Sequence, residues 1–324
     1  MVNKYEMFSV KVVGVEQETP LIKRFTLVRE DGLELPAFTG GSHIIVQMQE
    51  ADGRQHSNAY SLMSDPAVTR HYQIGVRLEE KSKGGSAFMH QRVEVGSVLT
   101  ISTPNNLFAI DPGGQRHVLI AGGIGITPFL AQLHELRASA ADYELHYAFR
   151  SPEHGAFSAD LMASSHAGRA HLYIDSEGKM LDIKALIAGL DDAAHLYVCG
   201  PRPLIDAVIE TARQFGVADN RVHWEQFAAA TSSGHGAFSV TLARSGCELW
   251  VEEGMSILQA IEKAKVASVE CLCREGVCGT CETQILQGEA EHLDQYLSDD
   301  EKVAQKTMMI CVSRARGASL VLDL

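Results

Sequence analysis

The apolar positions of this chain change their rhythm twice. Up to about residue 111 they come in short runs: Phe8–Val15, Ile22–Arg29, His43–Met48, His71–Leu78 and Val98–Ser102. These runs are rich in Val, Ile, Thr and aromatic residues and are separated by Gly, Pro and Asp, which predicts strands joined by turns. With only one short helix expected, Ala87–Arg92, the block reads as a small antiparallel β-barrel. From 112 to 228 strand and helix patterns alternate. Runs at Arg116–Ala121, Glu144–Phe149, His171–Ile174 and His195–Cys199 precede helical stretches at Pro128–Arg137, around Ala159, at Ile183–Leu190 and at Pro203–Phe215. That alternation predicts a doubly wound, parallel α/β domain.

The third block starts after Ala228-Ala-Ala-Thr-Ser-Ser-Gly-His-Gly236, whose small residues predict a linker over 229–236. Strands are expected at Phe238–Leu242 and Glu248–Val251. A helix over Ser256–Ala264 sets Ile257, Leu258, Ile261 and Ala264 on one side. A second helix opens at Ser298, where Ser298-Asp-Asp-Glu301 is a capping box. The expected organisation is a barrel (1–111), an α/β domain (112–228), a linker (229–236) and an α+β domain (237–324).

Composition adds exclusions. A net charge of −13 argues against nucleic acid and against an anionic membrane surface, and leaves room for a protein partner with a basic face. Glu289, Glu291, Asp294, Asp299, Asp300 and Glu301 crowd one segment of the last block and are expected to form an acidic docking face or a solvated one. Met1-Val-Asn-Lys-Tyr-Glu6 lacks an apolar leader, and no run of about 18 apolar residues occurs, so a soluble, cytoplasmic protein is expected. The 14 histidines are scattered, and no set of two histidines and one carboxylate for oxygen activation can be assembled from the sequence.

Four of the seven cysteines carry the clearest chemistry. Cys273, Cys278, Cys281 and Cys311 follow the C-x4-C-x2-C…C spacing of plant-type 2Fe-2S ferredoxins, whose domain is a β-grasp. Gly276 and Gly279 let the loop curl and aim N–H groups at sulfur. A four-thiolate zinc site is the competing assignment, but zinc usually draws on two C-x2-C-like pairs, and only one is present. Cys271, two residues before the first proposed ligand, is either a neighbour of the cluster or an exchangeable ligand. Three cysteines are left over, an odd number that argues against a disulfide framework.

In the α/β block, Ala121-Gly-Gly-Ile-Gly-Ile-Thr-Pro128 follows an apolar strand and opens a helix. Such a loop lets a pyrophosphate approach the backbone at a helix N-terminus, although alone it fits a structural turn equally well. Cys199-Gly-Pro201 stands where the last long strand ends, which is where ligands bind in such sheets. A buried structural thiol is the plain alternative for Cys199.

Together, these two motifs resemble the pyridine-nucleotide domain of the ferredoxin–NADP+ reductase superfamily. The resemblance implies pyrophosphate contacts from Gly122, Gly123, Gly125, Thr127 and Pro128, and a nicotinamide beside Cys199, Gly200 and Pro201. It sets Arg150 and Asp175 near the adenosine ribose, where an acidic residue favours NADH over NADPH. It also implies a flavin in the first block. Where the family reads Arg-x-Tyr-Ser this chain reads Asn58-Ala59-Tyr60-Ser61, so Tyr60 lies along the ring and Ser61 near its reactive edge, while a phosphate-side arginine is missing. Lys83-Gly84-Gly85-Ser86 before a helix is a phosphate-sized cradle, or else a solvated turn, and Arg77 and Lys83 are candidates for the missing charge. The segment His223-Trp-Glu225-Gln-Phe227 resembles the family's return to the flavin, with Glu225 at the reactive site and Phe227 on the ring or in the core.

The order flavin domain, nucleotide domain, ferredoxin domain resembles the phthalate dioxygenase reductase group, over the whole chain. The resemblance implies FMN, a 2Fe-2S cluster, NADH and a Rieske-type oxygenase as electron acceptor. Ala37–Ser42, Ser102–Phe108 and Glu270–Gly276 resemble a branch of that group serving monooxygenases that split carnitine to trimethylamine. Reductases of aromatic-ring dioxygenases or O-demethylases are the next alternative, and an NADH-reading redox sensor the last.

Overall fold

The computed structural model describes residues 5–50, 52–79, 84–163, 166, 168–227 and 236–324; Lys83 and the expected linker, except Gly236, lie outside them. The first block contains β1 (Met7–Thr19), β2 (Ile22–Arg29), β3 (Ser42–Gln49), β4 (Gln55–Ser61), β5 (Tyr72–Arg77), α1 (Gly85–Arg92), β6 (Val98–Ser102) and β7 (Asn105–Asn106). The strands run in the order β4-β3-β6-β1-β2-β5, with β7 beside β3. The β1–β2, β1–β6, β2–β5 and β3–β6 pairings are antiparallel, and a bridge from Leu62 to Ile74 joins the two edges. The inward residues Val10, Phe25, Leu27, Ile44, Val46, Leu62, Ile74 and Ile101 are fully buried. Removing such a Phe or Leu side chain from a packed core costs roughly 2–5 kcal/mol.

Next come β8 (Arg116–Gly122), α2 (Thr127–Ala138), β9 (Asp142–Phe149), α3 (Ser158–Ala163), β10 (Ala170–Ile174), α4 (Ile183–Ala188), β11 (Ala194–Cys199), α5 (Arg202–Gln214) and β12 (Val222–Glu225). They form a parallel sheet in the order β10-β9-β8-β11-β12. Helix α5 buries Ile205, Val208 and Ala212, a helical stripe, on the face formed by Val118, Ile120, Leu196 and Val198. The other face is shared with the barrel: Ile22, Met63 and Phe108 lie in one core with Leu119, Ile126, Phe129, Leu133 and Tyr197. The Gly40 N–H donates to Glu135 Oε1 at 2.8 Å across that seam.

The last block holds β13 (Phe238–Leu242), β14 (Cys247–Val251), α6 (Ile257–Ala264), β15 (Glu282–Gln287), β16 (Ala290–Glu291), α7 (Asp299–Ala304), β17 (Thr307–Met309), β18 (Arg314–Ala315) and β19 (Ser319–Leu322). Its mixed sheet has the order β14-β13-β19-β15-β17, with β13 and β19 parallel. Helix α6 packs Ile257, Leu258, Ala260 and Ile261 into the core, completing a β-grasp. Both helices start from capping boxes, Ser256 with Gln259 and Ser298 with Glu301, each serine contributing about 1 kcal/mol. The described chain divides into two compact units: Tyr5–His56 with Tyr60–Gln226, and Phe227–Leu324 with Ser57–Ala59.

Candidate cofactor and cluster sites

The two glycine-bearing motifs of the α/β block meet at the carboxyl ends of β8 and β11. Cys199 pairs in register with Ala121, so both strands end together and their loops face each other. A Cβ on Gly125 would overlap the Cys199 carbonyl and stand 2.8 Å from Gly200 N. A Cβ on Gly122 would stand 2.7 Å from both Pro201 and Leu204. Only glycine permits this approach. Residues 123–126 form a 3-10 turn and Pro128 sits in the first turn of α2. Gly123 is half-buried with a φ of 54°, and Thr127 is buried, its hydroxyl donating to Ile124 O at 3.0 Å. Arg150 and Asp175, both exposed, cap the neighbouring ends of β9 and β10, tied by the Ser176 N–H to Arg150 O at 2.9 Å.

Next along the same end of the sheet, Glu225 pairs in register with Cys199. The Cys199 thiol lies 4.0 Å from Glu225 Oε2, and both side chains are buried. Burial pushes the Glu225 carboxyl up to about 8, and burial together with Glu225 pushes the Cys199 thiol up. At neutral pH both are therefore uncharged. Strand β12 ends at Glu225, two residues before the end of the segment that resembles the family's return to the flavin, and Phe227 is exposed rather than in the core.

In the barrel, Asn58, Ala59 and Tyr60 are half-buried in β4, and Ser61, its last residue, is buried. Gly84 precedes α1 with a φ of 114°, and its missing Cβ leaves room for the His56 ring. The N-cap position of α1 is Gly84, which has no side chain to cap with, and Ser86 Oγ accepts from Glu79 N at 3.3 Å. Gly85 and Ser86 are buried in the first turn of α1, and Arg77 lies at the end of β5, 3.5 Å from Glu79.

The cysteine loop brings five sulfurs together. Cys273, Cys278, Cys281 and Cys311 are buried, and Cys271 Sγ falls within 4.8 Å of those of Cys281 and Cys311. The donors are soft sulfur throughout, which suits an iron–sulfur cluster. Backbone N–H groups already aim at them: Glu275 N donates to Cys273 Sγ at 3.3 Å. Gly276 and Gly279 both have positive φ, 74° and 78°, and a Cβ on Gly279 would overlap the Tyr296 ring. Thr280 went unnoticed in the sequence. Its hydroxyl accepts from Leu272 N at 2.9 Å and lies 3.1 Å from Cys278 Sγ, clasping the two arms of the loop. Its position between two ligand cysteines was the available signal.

The expected acidic face needs correction. Asp294 is 3 % exposed and accepts from Leu297 N at 2.9 Å and Ser313 Oγ at 3.2 Å, so it holds the loop together from inside. Asp299, Asp300 and Glu301 remain exposed in the first turn of α7.

Residues 240–316 match the 2Fe-2S iron-sulfur cluster binding domain, and 101–222 match the N-terminal domain of dimethylamine monooxygenase subunit DmmA-like proteins. The carnitine monooxygenase reductase subunit of Acinetobacter baumannii is 56% identical over 324 residues, covering 100% of both chains. The chain belongs to this family of oxygenase reductase subunits. Among solved structures, phthalate dioxygenase reductase, described as modular for electron transfer from pyridine nucleotides to [2Fe-2S], superposes with a TM-score of 0.75 at 32% identity, covering 98% of each chain. An intact type IV self-sufficient cytochrome P450 monooxygenase matches 98% of this chain with 41% of its own, at 36% identity and a TM-score of 0.79. The reductase family therefore accounts for all three blocks: flavin- and nucleotide-binding domains followed by a 2Fe-2S domain, in a protein that delivers electrons to an oxygenase. Among the described residues no helix is long and apolar enough to cross a membrane.

Proposed function

We propose that this chain passes electrons from NADH, through FMN and one 2Fe-2S cluster, to a Rieske-type oxygenase that cleaves carnitine. The observation that supports the nucleotide half of this reading is the contact of Gly122 and Gly125 with the Cys199-Gly-Pro loop. It leaves bare backbone at the carboxyl ends of β8 and β11, beside a buried thiol and a neutral carboxyl. In this reading the N–H groups of Gly122, Gly123 and Gly125, with Thr127 and Pro128 shaping the turn, bind the pyrophosphate. Asp175 accepts from the ribose hydroxyl and repels a 2′-phosphate, with Arg150 alongside. Cys199, Gly200 and Pro201 hold the nicotinamide, and Glu225 keeps its proton so that no anion stands beside the transferring hydride. Ser61 orients the flavin edge, Asn58 to Tyr60 and Phe227 flank it, and the N-terminus of α1 with Gly84, Gly85, Ser86, Arg77 and Lys83 takes one phosphate. One phosphate site favours FMN over FAD. Cys273, Cys278, Cys281 and Cys311 hold the cluster, and Cys271 is its neighbour. A bound flavin would supply the link between NADH, which gives up two electrons together as one hydride, and an iron–sulfur centre, which takes electrons one at a time.

The carnitine assignment rests on the relative that is 56% identical from end to end. The test is reconstitution. Purified protein is mixed with the oxygenase subunit of a carnitine monooxygenase, NADH and carnitine, and trimethylamine is measured, with phthalate- and vanillate-type oxygenases and their substrates in parallel. Trimethylamine formation in step with NADH oxidation is expected. Efficient coupling only to the aromatic systems would overturn the carnitine assignment, and failure to reduce cytochrome c would overturn the reductase reading in favour of a sensor. Flavin released by denaturation is expected to chromatograph as FMN.

A further inference from the structure

At the opposite end of the parallel sheet, away from Cys199 and the glycine loop, the strands carry a second cluster. His117 lies in β8, His195 in β11 and His223 in β12. Register pairs His117 with His195, and Tyr197 with His223. Since side chains alternate along a strand, all four rings project from one face. The His195 and His223 rings stack with centroids 5.3 Å apart and an angle of 11°. His195 Nδ1 lies 3.1 Å from His223 Nε2. Asp111, from the turn that leads into β8, brings Oδ2 to 3.8 Å from the same His195 nitrogen. The three donor atoms lie within 4.8 Å of one another.

Zinc binds imidazole nitrogen and carboxylate oxygen at about 2.0–2.2 Å, so tetrahedral ligand atoms sit about 3.3–3.5 Å apart. The observed spacings of 3.1 and 3.8 Å bracket that value. A plain histidine–histidine hydrogen bond accounts for the shorter distance but not for the carboxylate aimed at the same point. The supporting contacts resemble those around real ligands, whose orientation is fixed by outer hydrogen bonds and packing. Asp111 Oδ1 is occupied by Gly113 N at 2.7 Å, leaving Oδ2 for the site, and Asp111 N donates to Tyr197 Oη at 2.9 Å. Tyr197 stacks on His223 at 4.5 Å, fixing its ring. Gly114 makes the room, since a Cβ there would come within 2.8 Å of His117 and 3.2 Å of His195.

A similar group, Glu144, His146 and His171, fits a cation less well. Arg116 already binds Glu144 at 2.7 Å and places a positive charge at the donors. Among the described residues, no Lys or Arg lies within ion-pair distance of Asp111.

We propose that Asp111, His195 and His223 form a binding site for a divalent transition-metal ion, two imidazole nitrogens and one carboxylate oxygen, with the remaining position open to water. The ion would tie the turn at residues 111–114 to β11 and β12, as a structural clamp separate from the electron path. Imidazole-rich sites suit zinc, and zinc is the probe.

The experiment uses holoprotein with its cluster intact, stripped of loose metal and dialysed against Zn2+. Bound zinc is counted by elemental analysis, and its shell is read by X-ray absorption. One zinc per chain is expected, with nitrogen or oxygen neighbours at about 2.0–2.1 Å and no sulfur at about 2.3 Å. His195→Gln and Asp111→Asn should each weaken zinc binding at least tenfold, while flavin content and NADH-driven cytochrome c reduction stay unchanged. Asp111 lies in a partly exposed turn, so its variant keeps the test valid if His195→Gln misfolds. Absence of bound zinc, a sulfur shell, or zinc retained at full affinity by both variants would overturn the site.

Discussion

A Cβ on Gly125 has nowhere to go, because the carbonyl of Cys199 occupies its place. Two motifs 74 residues apart in sequence thus form one surface, and neither can take a larger residue without displacing the other.

Gly125→Ala is therefore expected to impair NADH use before anything else. The loop must shift away from Cys199, and misplacement of about 1 Å can cost roughly a hundredfold in rate. NADH-driven ferricyanide reduction should fall at least tenfold, while iron and flavin content stay near the parent values. Unchanged kinetics would mean that the loop contact does not shape the nucleotide site.

Cys278→Ser should separate the two halves of the reaction. Serine oxygen is a poor ligand for iron that thiolates hold. Cytochrome c and oxygenase reduction should be lost, with NADH-driven flavin reduction within about twofold of the parent; the cluster block has its own core, and conservative changes away from a site usually alter little. Simultaneous loss of flavin reduction would contradict that independence.

Glu225 predicts a pH dependence. Its carboxyl is raised from 4.5 to about 8, so the folded protein holds a proton that the unfolded chain has lost between those values. Stability from this group is present below about 4.5 and is lost as pH rises through about 8, by roughly 3–5 kcal/mol in all. Glu225→Gln removes the titration. The midpoint of thermal unfolding of the variant, compared with the parent, should rise progressively between pH 5 and 9. A difference independent of pH would show that the carboxyl ionises normally.

The exposed acids of α7, Asp299, Asp300 and Glu301, predict a salt effect on partner encounter. Opposite charges speed association more than they prolong it, and screening acts over about 8–10 Å at ordinary ionic strength. Oxygenase-coupled NADH oxidation should slow as salt rises, more than flavin reduction alone does. A flat coupled rate would remove electrostatics from docking.

Much of this was readable in the sequence because it was local. The cysteine spacing, the capping boxes and the strand–helix alternation each sit within a few residues, and the structure repeats them closely. What stayed hidden depended on contacts across the chain. Strand β4 was missed because Gln55-His-Ser-Asn58 is polar and gains its extended form by pairing with β3. β1 runs on to Thr19 because bulges keep its polar end on β2. Asp294 read as surface because its partners, Leu297 N and Ser313, come from loop closure. The grouping of Asp111, His195 and His223 was illegible for the same reason: it exists only once β11 and β12 lie side by side.

The core that Ile22, Met63 and Phe108 share with Leu119, Ile126 and Phe129 has a practical consequence for anyone dividing the protein. A cut at residue 111 would leave two fragments, each with a naked half of one hydrophobic interior, and both would be expected to aggregate. Among the described residues, the last block gathers its own apolar core from Phe238 onward. The sequence is written in three blocks, yet the first two share one interior.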